Sequence, residues 1–203
     1  MRPISQPQTS LATAKTSISL VGMPGSGKST VGRHVSRQLR LPLIDTDHVI
    51  ERRVGCSIRD FFETQGEAAF RDVEQAVLDE VTQLSGHIVA TGGGAVLRES
   101  NRLALHSRTT VIYLRSSPED LVRRLRHDTQ RPLLQNAEGD PLRRLRTLFH
   151  DRDPLYRRTA HFVIETGRPS VHSLVNMVLM QLELAGVVPV TPAAGTAAGE
   201  TPP

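Results

Sequence analysis

Five short runs of apolar and β-branched residues punctuate the chain: SISLV (17–21), LPLID (41–45), HIVAT (87–91), TVIYL (110–114) and HFVIE (161–165). Runs this short, with apolar residues at most positions, fit strands buried on both faces. The stretches 28–40, 67–84, 118–127, 141–150 and 170–185 instead place apolar residues three and four apart, which predicts helices. Ser117-Pro118-Glu119 reads as a helix start. Strands alternating with helices imply an α/β fold in which helices cover both faces of a parallel sheet.

The pattern fails in three places. Residues 1–15 are polar and mixed, and 187–203 are rich in Pro, Ala and Thr, so both are expected as flexible tails around one domain at 16–186. Between two helices, HDTQRPLLQNAEGDP (127–141) is long for a connection inside a compact domain. It reads as a lid or as a plain surface loop, and Arg131 in its middle favours the lid.

Composition narrows the classes. A length of 203 residues suits one domain with tails, and no run approaches the roughly 18 apolar residues of a membrane span. The N-terminus lacks a secretory apolar stretch, so a soluble, cytoplasmic protein with no membrane association is expected, and a monomer. A single cysteine, Cys56, can form neither an internal disulfide nor a multi-cysteine zinc site. Of 25 basic residues only Lys15 and Lys28 are lysines, which makes each of them informative. The segment 115–158 carries 11 Arg against 7 acids, equal to the whole net charge of +4. Without an aromatic stacking platform or zinc-finger spacing, nucleic acid is not the expected partner; a small polyanion or a solvated helix face accounts for the charge.

Gly22-Met23-Pro24-Gly25-Ser26-Gly27-Lys28-Ser29-Thr30 matches G-x-x-x-x-G-K-[ST] between the first predicted strand and the first predicted helix, the context this phosphate-binding loop requires. Its glycines let backbone N–H groups turn toward a phosphate chain beside a helix N-terminus, Lys28 reaches the outer phosphates, and Ser29 would coordinate Mg²⁺. Such a loop also calls for a carboxylate at a strand end to hold the metal's water shell. HIVAT ends in Thr91 and TVIYL is followed by Arg115, leaving LPLID and HFVIE. Asp45-Thr46-Asp47 is the stronger candidate, because residues two apart on an extended segment point the same way. One carboxylate could serve the metal and the other an acceptor hydroxyl; alternatively Asp47 only caps the next helix. Gly92-Gly93-Gly94 after the third strand suggests backbone approaching a ligand at the carboxyl end of the sheet, or an ordinary turn. Arg71 and Glu74, one helical turn apart, read on their own as a surface ion pair.

Taken together these residues resemble the shikimate kinases, small P-loop enzymes that transfer the γ-phosphoryl group of ATP to the 3-hydroxyl of shikimate. The resemblance runs from about residue 16 to 185. It rests on six ordered elements: GMPGSGKST, DTD (45–47), G-E-x-x-F-R-x-x-E (66–74), GGGAV (92–96), R-P-L-L (131–134) and R-x-P-L-Y (152–156). It implies a three-layer α/β/α P-loop fold with a five-stranded sheet, and ATP with Mg²⁺ as the reacting partners of shikimate. By position it implies that Gly25, Ser26, Gly27, Lys28, Ser29 and Thr30 bind phosphates. Ser29 and, through water, Asp45 hold Mg²⁺, and Asp47 meets the substrate hydroxyl as base or orienter. Arg71 and Arg152 grip the shikimate carboxylate near the backbone of Gly93, with Glu74 holding Arg71. Arg131 closes over ATP, Arg124 stacks on adenine and Arg168 flanks the same base. Lys28, Asp47 and Arg131 are thus the expected catalytic groups. Thr91 departs from the pattern, since a more apolar residue is expected before the glycines, and NAEGDP is the least characteristic stretch. The rivals are a related kinase of another hydroxy acid such as gluconate, and a silent ligand-sensing module.

Overall fold

A computed structural model of the protein describes residues 16–125, 140–167 and 169–189. Arg131, Arg168, all but the last two residues of the expected lid, residues 1–15 and residues 190–203 lie outside the described residues.

The five expected strands are present as β1 (Ile18–Val21), β2 (Leu43–Asp45), β3 (Ile88–Ala90), β4 (Thr110–Arg115) and β5 (Phe162–Glu165). They form one parallel sheet in the order β2-β3-β1-β4-β5, with Ile18 paired to both Ile88 and Thr110. The helices among the described residues are α1 (Lys28–Leu39), α2 (Thr46–Val54), α3 (Ile58–Thr82), α4 (Glu99–Arg108), α5 (Pro118–Leu125), α6 (Pro141–Thr159) and α7 (Val171–Leu184).

The alternation of side chains along each strand divides the core into two layers. Ile18, Leu20, Ile88, Ile112, Leu114 and Ile164 pack with Val31 and Val35 of α1 and with Leu174 and Val178 of α7. Val21, Val89, Val111 and Tyr113 pack on the opposite face with residues from α2 through α6, among them Ile50, Phe70, Leu105, Leu121 and Tyr156. Both sheet faces are therefore dry, as parallel sheets require, and every loop that leaves a strand's carboxyl end opens on the same edge of the molecule. No helix among the described residues is long and apolar enough to cross a membrane.

The structure corrects the sequence reading at several boundaries. Asp47 is not on an extended segment: α2 starts at Thr46, directly from the strand, because Asp45 caps it by accepting the N–H of Asp47. The helix α4 was not expected; its residues ESNRLALHSR bury only Asn101 and Leu105, too few for a periodic signal. The helix expected at 67–84 is preceded by a further one from Ile58, the two joined at Gly66, whose φ of 80° breaks the helical path. The helix expected at 141–150 continues to Thr159 through Pro154. Ser117 starts α5 as expected, its hydroxyl accepting from the N–H of Asp120.

Candidate active site

The first loop of the site is built around backbone that approaches its neighbours closely. A Cβ on Gly22 would stand 2.6 Å from the Leu114 carbonyl oxygen, and its φ of 150° suits only glycine, so β1 can turn into the loop only through this residue. Gly27, in the left-handed region, caps α1, which begins at Lys28. The Lys28 side chain is buried and curls over its own loop, donating from Nζ to the carbonyls of Gly22 (2.9 Å) and Met23 (3.0 Å). Ser26 Oγ is buried with no hydrogen-bond partner among the described residues, a vacancy in hydrogen-bonding that a phosphate oxygen would fill. Thr30 is exposed on the first turn of α1.

Ser29 and Asp45 meet where α1 faces the end of β2. The Ser29 hydroxyl donates to Asp45 Oδ2 at 2.7 Å, while Asp45 Oδ1 takes the Asp47 N–H. One residue further into α2, Thr46 Oγ1 accepts the N–H of Gly92 at 3.0 Å, tying α2 to the loop after β3.

That loop is where the remaining candidates converge, and each of its glycines faces a different one. A Cβ on Gly92 would lie 2.6 Å from Asp47 Oδ1 and 3.2 Å from Glu74 Oε1. On Gly93 it would strike the Pro24 ring at 2.7 Å, and on Gly94 it would fall 2.2 Å from Arg71 Nη1. Side chains at these positions would push away Asp47, the phosphate loop and Arg71 in turn. The run of glycines is thus a turn, as one of the two readings had it, and one whose close packing requires glycine at each position. Thr91, the unexpected residue before it, is buried and satisfies its hydroxyl on the Leu20 carbonyl at 3.0 Å, so a polar side chain costs nothing there.

Arg71 and Glu74 are not a surface pair. Arg71 Nη1 donates to Glu74 Oε2 at 2.7 Å, and the two side chains are only 13% and 2% exposed. Burial pushes the Glu74 carboxyl up against the opposing pull of Arg71, with the Asp47 charge adding to the rise. Burial alone would lower the Arg71 pKa, but Glu74 and Glu67 together raise it and keep the guanidinium charged. The rings of Phe62 and Phe70 lie 5.9 and 5.1 Å from its carbon, fixing the plane of the fork.

Arg152, from α6, reaches the same turn by donating Nη1 to the Gly93 carbonyl at 3.0 Å. Tyr156, one turn later, donates to that same oxygen at 2.6 Å; burial raises its phenol pKa, so it stays a donor. Behind it the rings of Tyr113 and Tyr156 stack at 4.8 Å, and Asp153 accepts from Tyr113 (2.8 Å), Arg115 (2.9 Å) and Arg157 (2.7 Å). Sequence reasoning assigned no role to Tyr156, Tyr113 or Asp153. The available signal was that Tyr113 and Tyr156 are the chain's two tyrosines, the second at the end of R-x-P-L-Y, with Asp153 inside that motif.

Arg124 stands apart from this cluster. It donates to the carbonyls of Thr166 and, at 3.2 Å, Gly167, so it braces the loop after β5 against α5. The structure therefore brings together Lys28, Ser29, Asp45, Asp47, Arg71, Glu74, Gly93 and Arg152, with Arg124 on a neighbouring loop.

Comparison with known proteins gives the family. The shikimate kinase family model matches residues 24–183. A shikimate kinase of Paracidovorax citrulli is 57% identical over 179 residues, covering 87% of this chain and 97% of that one, and one of Ralstonia nicotianae is 56% identical over 181 residues (89% and 94%). Among solved structures, the shikimate kinase from Acinetobacter baumannii in complex with shikimate superposes with a TM-score of 0.78 at 43% identity, covering 84% of this chain and 94% of that one. A gluconokinase from Sinorhizobium meliloti, at a TM-score of 0.52 and 18% identity over 84% of this chain and 93% of that one, shares the fold alone. With its fold, its glycine-lined site and these relatives in agreement, this chain belongs to the shikimate kinase family.

Proposed function

We propose that this chain transfers the γ-phosphoryl group of ATP to the 3-hydroxyl of shikimate, giving shikimate 3-phosphate and ADP, as a monomer in the cytoplasm. The observation that carries the reading is the convergence of Asp47, Arg71 and Arg152 on a glycine turn that also packs against Pro24 of the phosphate loop. A small acid with one carboxylate and a ring hydroxyl fits between two guanidinium groups and a carboxylate placed this way.

In this reading Arg71, held by Glu74, and Arg152, held by Gly93, take the substrate carboxylate, and Asp47 orients the attacking hydroxyl or accepts its proton. Gly25, Ser26, Gly27, Lys28, Ser29 and Thr30 surround the phosphates, and the lone hydroxyl of Ser26 supports an anion there. The oxygens of Ser29 and Asp45, 2.7 Å apart, suit a hard divalent cation such as Mg²⁺, which retains much of its water. Ser29 would hold that ion directly and Asp45 through water, and it would supply charge neutralisation at the phosphates. The hydrogen bonds of Arg124 leave the faces of its guanidinium for adenine. Arg131 over the ATP and Arg168 beside the base complete the proposal. Positioning and charge stabilisation suffice, because a loose phosphoryl-transfer transition state asks for little covalent help.

The test is ADP release by the purified chain against shikimate, quinate, gluconate and nucleoside monophosphates. Turnover with shikimate alone supports the reading; a preference for gluconate or a nucleotide overturns it.

A further inference from the structure

Every side of the Arg71 guanidinium is already engaged. Glu74, buried, holds Nη1 at 2.7 Å; Gly94 packs across the Nη1–Nη2 end; the rings of Phe62 and Phe70 are near its carbon. What remains is the edge formed by Nε and Nη2, along which a carboxylate makes two parallel hydrogen bonds. That edge is taken by Glu67, four residues earlier on the same helix face, whose Oε1 accepts from Nε at 3.3 Å and from Nη2 at 3.1 Å.

The two acids on Arg71 differ in kind. Glu74 is 2% exposed and lies inside the site, whereas Glu67 is 65% exposed and lies on the solvent side. Glu67 also binds poorly, since one oxygen serves both nitrogens at distances beyond the roughly 2.7–2.9 Å of a good charge-assisted bond. A carboxylate arriving from solvent can offer one oxygen to each nitrogen and do better.

We infer that Glu67 is a built-in competitor: in the free enzyme it occupies the edge of Arg71 that the carboxylate of the substrate takes, and the substrate must displace it. The inference rests on the reading of Arg71 as a carboxylate ligand. It makes Glu67 a specificity-determining residue. A ligand with a carboxylate exchanges a weak ion pair for a stronger one, while a ligand without it finds the edge closed. The fork itself is held in place by Glu74, so that displacing Glu67 leaves little ordering for the moment of binding.

The sign of one kinetic change tests this. Glu67→Gln and Glu67→Ala lower the KM for shikimate about two- to five-fold, the share of binding an exposed ion pair commands, with kcat and the KM for ATP unchanged. If Glu67 merely supported Arg71, the same variants would raise the KM. Glu63→Gln, on the helix before the Gly66 break and paired with Arg59 at 2.9 Å on the surface, leaves KM unchanged; an equal fall there would mean a diffuse charge effect and overturn the competitor. Arg71→Ala separates the two levels of the argument. A chain whose shikimate KM does not rise in Arg71→Ala fails the reading of the site, and the competitor with it. A chain that loses affinity in Arg71→Ala but shows no fall in KM in the Glu67 variants overturns the competitor alone.

Discussion

Gly94 and Arg71 are in such close contact that the smallest side chain at position 94 would overlap the guanidinium, at 2.2 Å from Nη1 and 2.7 Å from Cζ and Nη2. The group in the way is the far end of a flexible side chain, so Gly94→Ala folds, and Arg71 moves. The move breaks its bond to Glu74 and misplaces the carboxylate-binding fork. In the proposed reading of the site we expect shikimate affinity to fall about 10- to 100-fold and thermal stability to fall as buried Glu74 loses its partner, with ATP affinity nearly unchanged. Calorimetric titration with each substrate checks this, and a parallel loss of ATP affinity would contradict it.

Asp45 and Asp47 are both near the phosphate loop but have different neighbours, and their amides should behave differently. Asparagine is as good a helix cap as aspartate, so Asp45→Asn keeps α2 and weakens only the proposed cation site beside Ser29. It raises the Mg²⁺ concentration that gives half-maximal rate. Asp47→Asn preserves size and ATP binding but loses the charge that, in the proposed reading, faces the acceptor, and kcat falls about 10²–10⁴-fold if the group is a general base. Excess Mg²⁺ does not restore it. Rate measurements across a Mg²⁺ series decide the matter, and recovery of Asp47→Asn by metal would exchange the two roles.

Asp153 gives the acid limb of stability. Burial alone would raise its pKa, but hydrogen bonds from Arg157, Tyr113 and Arg115 outweigh it and hold the carboxyl below its ordinary value. A depressed folded pKa stabilises the fold above the unfolded value and loses that contribution as pH falls through the folded one, here below about pH 4. Asp153→Asn should therefore be less stable than the parent at pH 7, by about 1–3 kcal/mol, with the gap closing toward pH 2. Glu74, raised by burial, acts in the opposite sense but is common to both proteins and cancels in the difference. Denaturant melts of the pair at several pH values would expose a gap that fails to narrow.

The sheet was legible because its three central strands, β3, β1 and β4, are buried on both faces, and such a strand has no way to hide this in its sequence; the edge strand β5 keeps the same apolar run although Val163 is 42% exposed. The phosphate loop was legible because the chemistry fixes both residue types and spacing. What escaped was set by contacts distant in sequence. Thr46–Val54 begins to coil with no linker after β2, so the step from strand to helix is marked only by the Asp45 side chain turning back on Asp47. Glu99–Arg108 is held by two buried residues and leaves Leu103 63% exposed, the reverse of an amphipathic signature. Arg71 and Glu74 looked like surface residues because helical spacing does not reveal what packs above them, and what packs above them is Gly94 and Phe70.

The Gly93 carbonyl, shared by Arg152 and Tyr156, has a consequence for what the site can recognise. An amide oxygen has two lone pairs, and both are committed to the protein's own donors. Gly93 therefore has no acceptor left for a ligand hydroxyl, and any hydrogen bond it makes to one runs through its N–H. A ligand atom seated there must be an electron donor, an oxygen presenting a lone pair. In the proposed reading of the site, an ammonium or amide nitrogen at that point of a substrate would find only another donor facing it, so the turn would disfavour amino analogues.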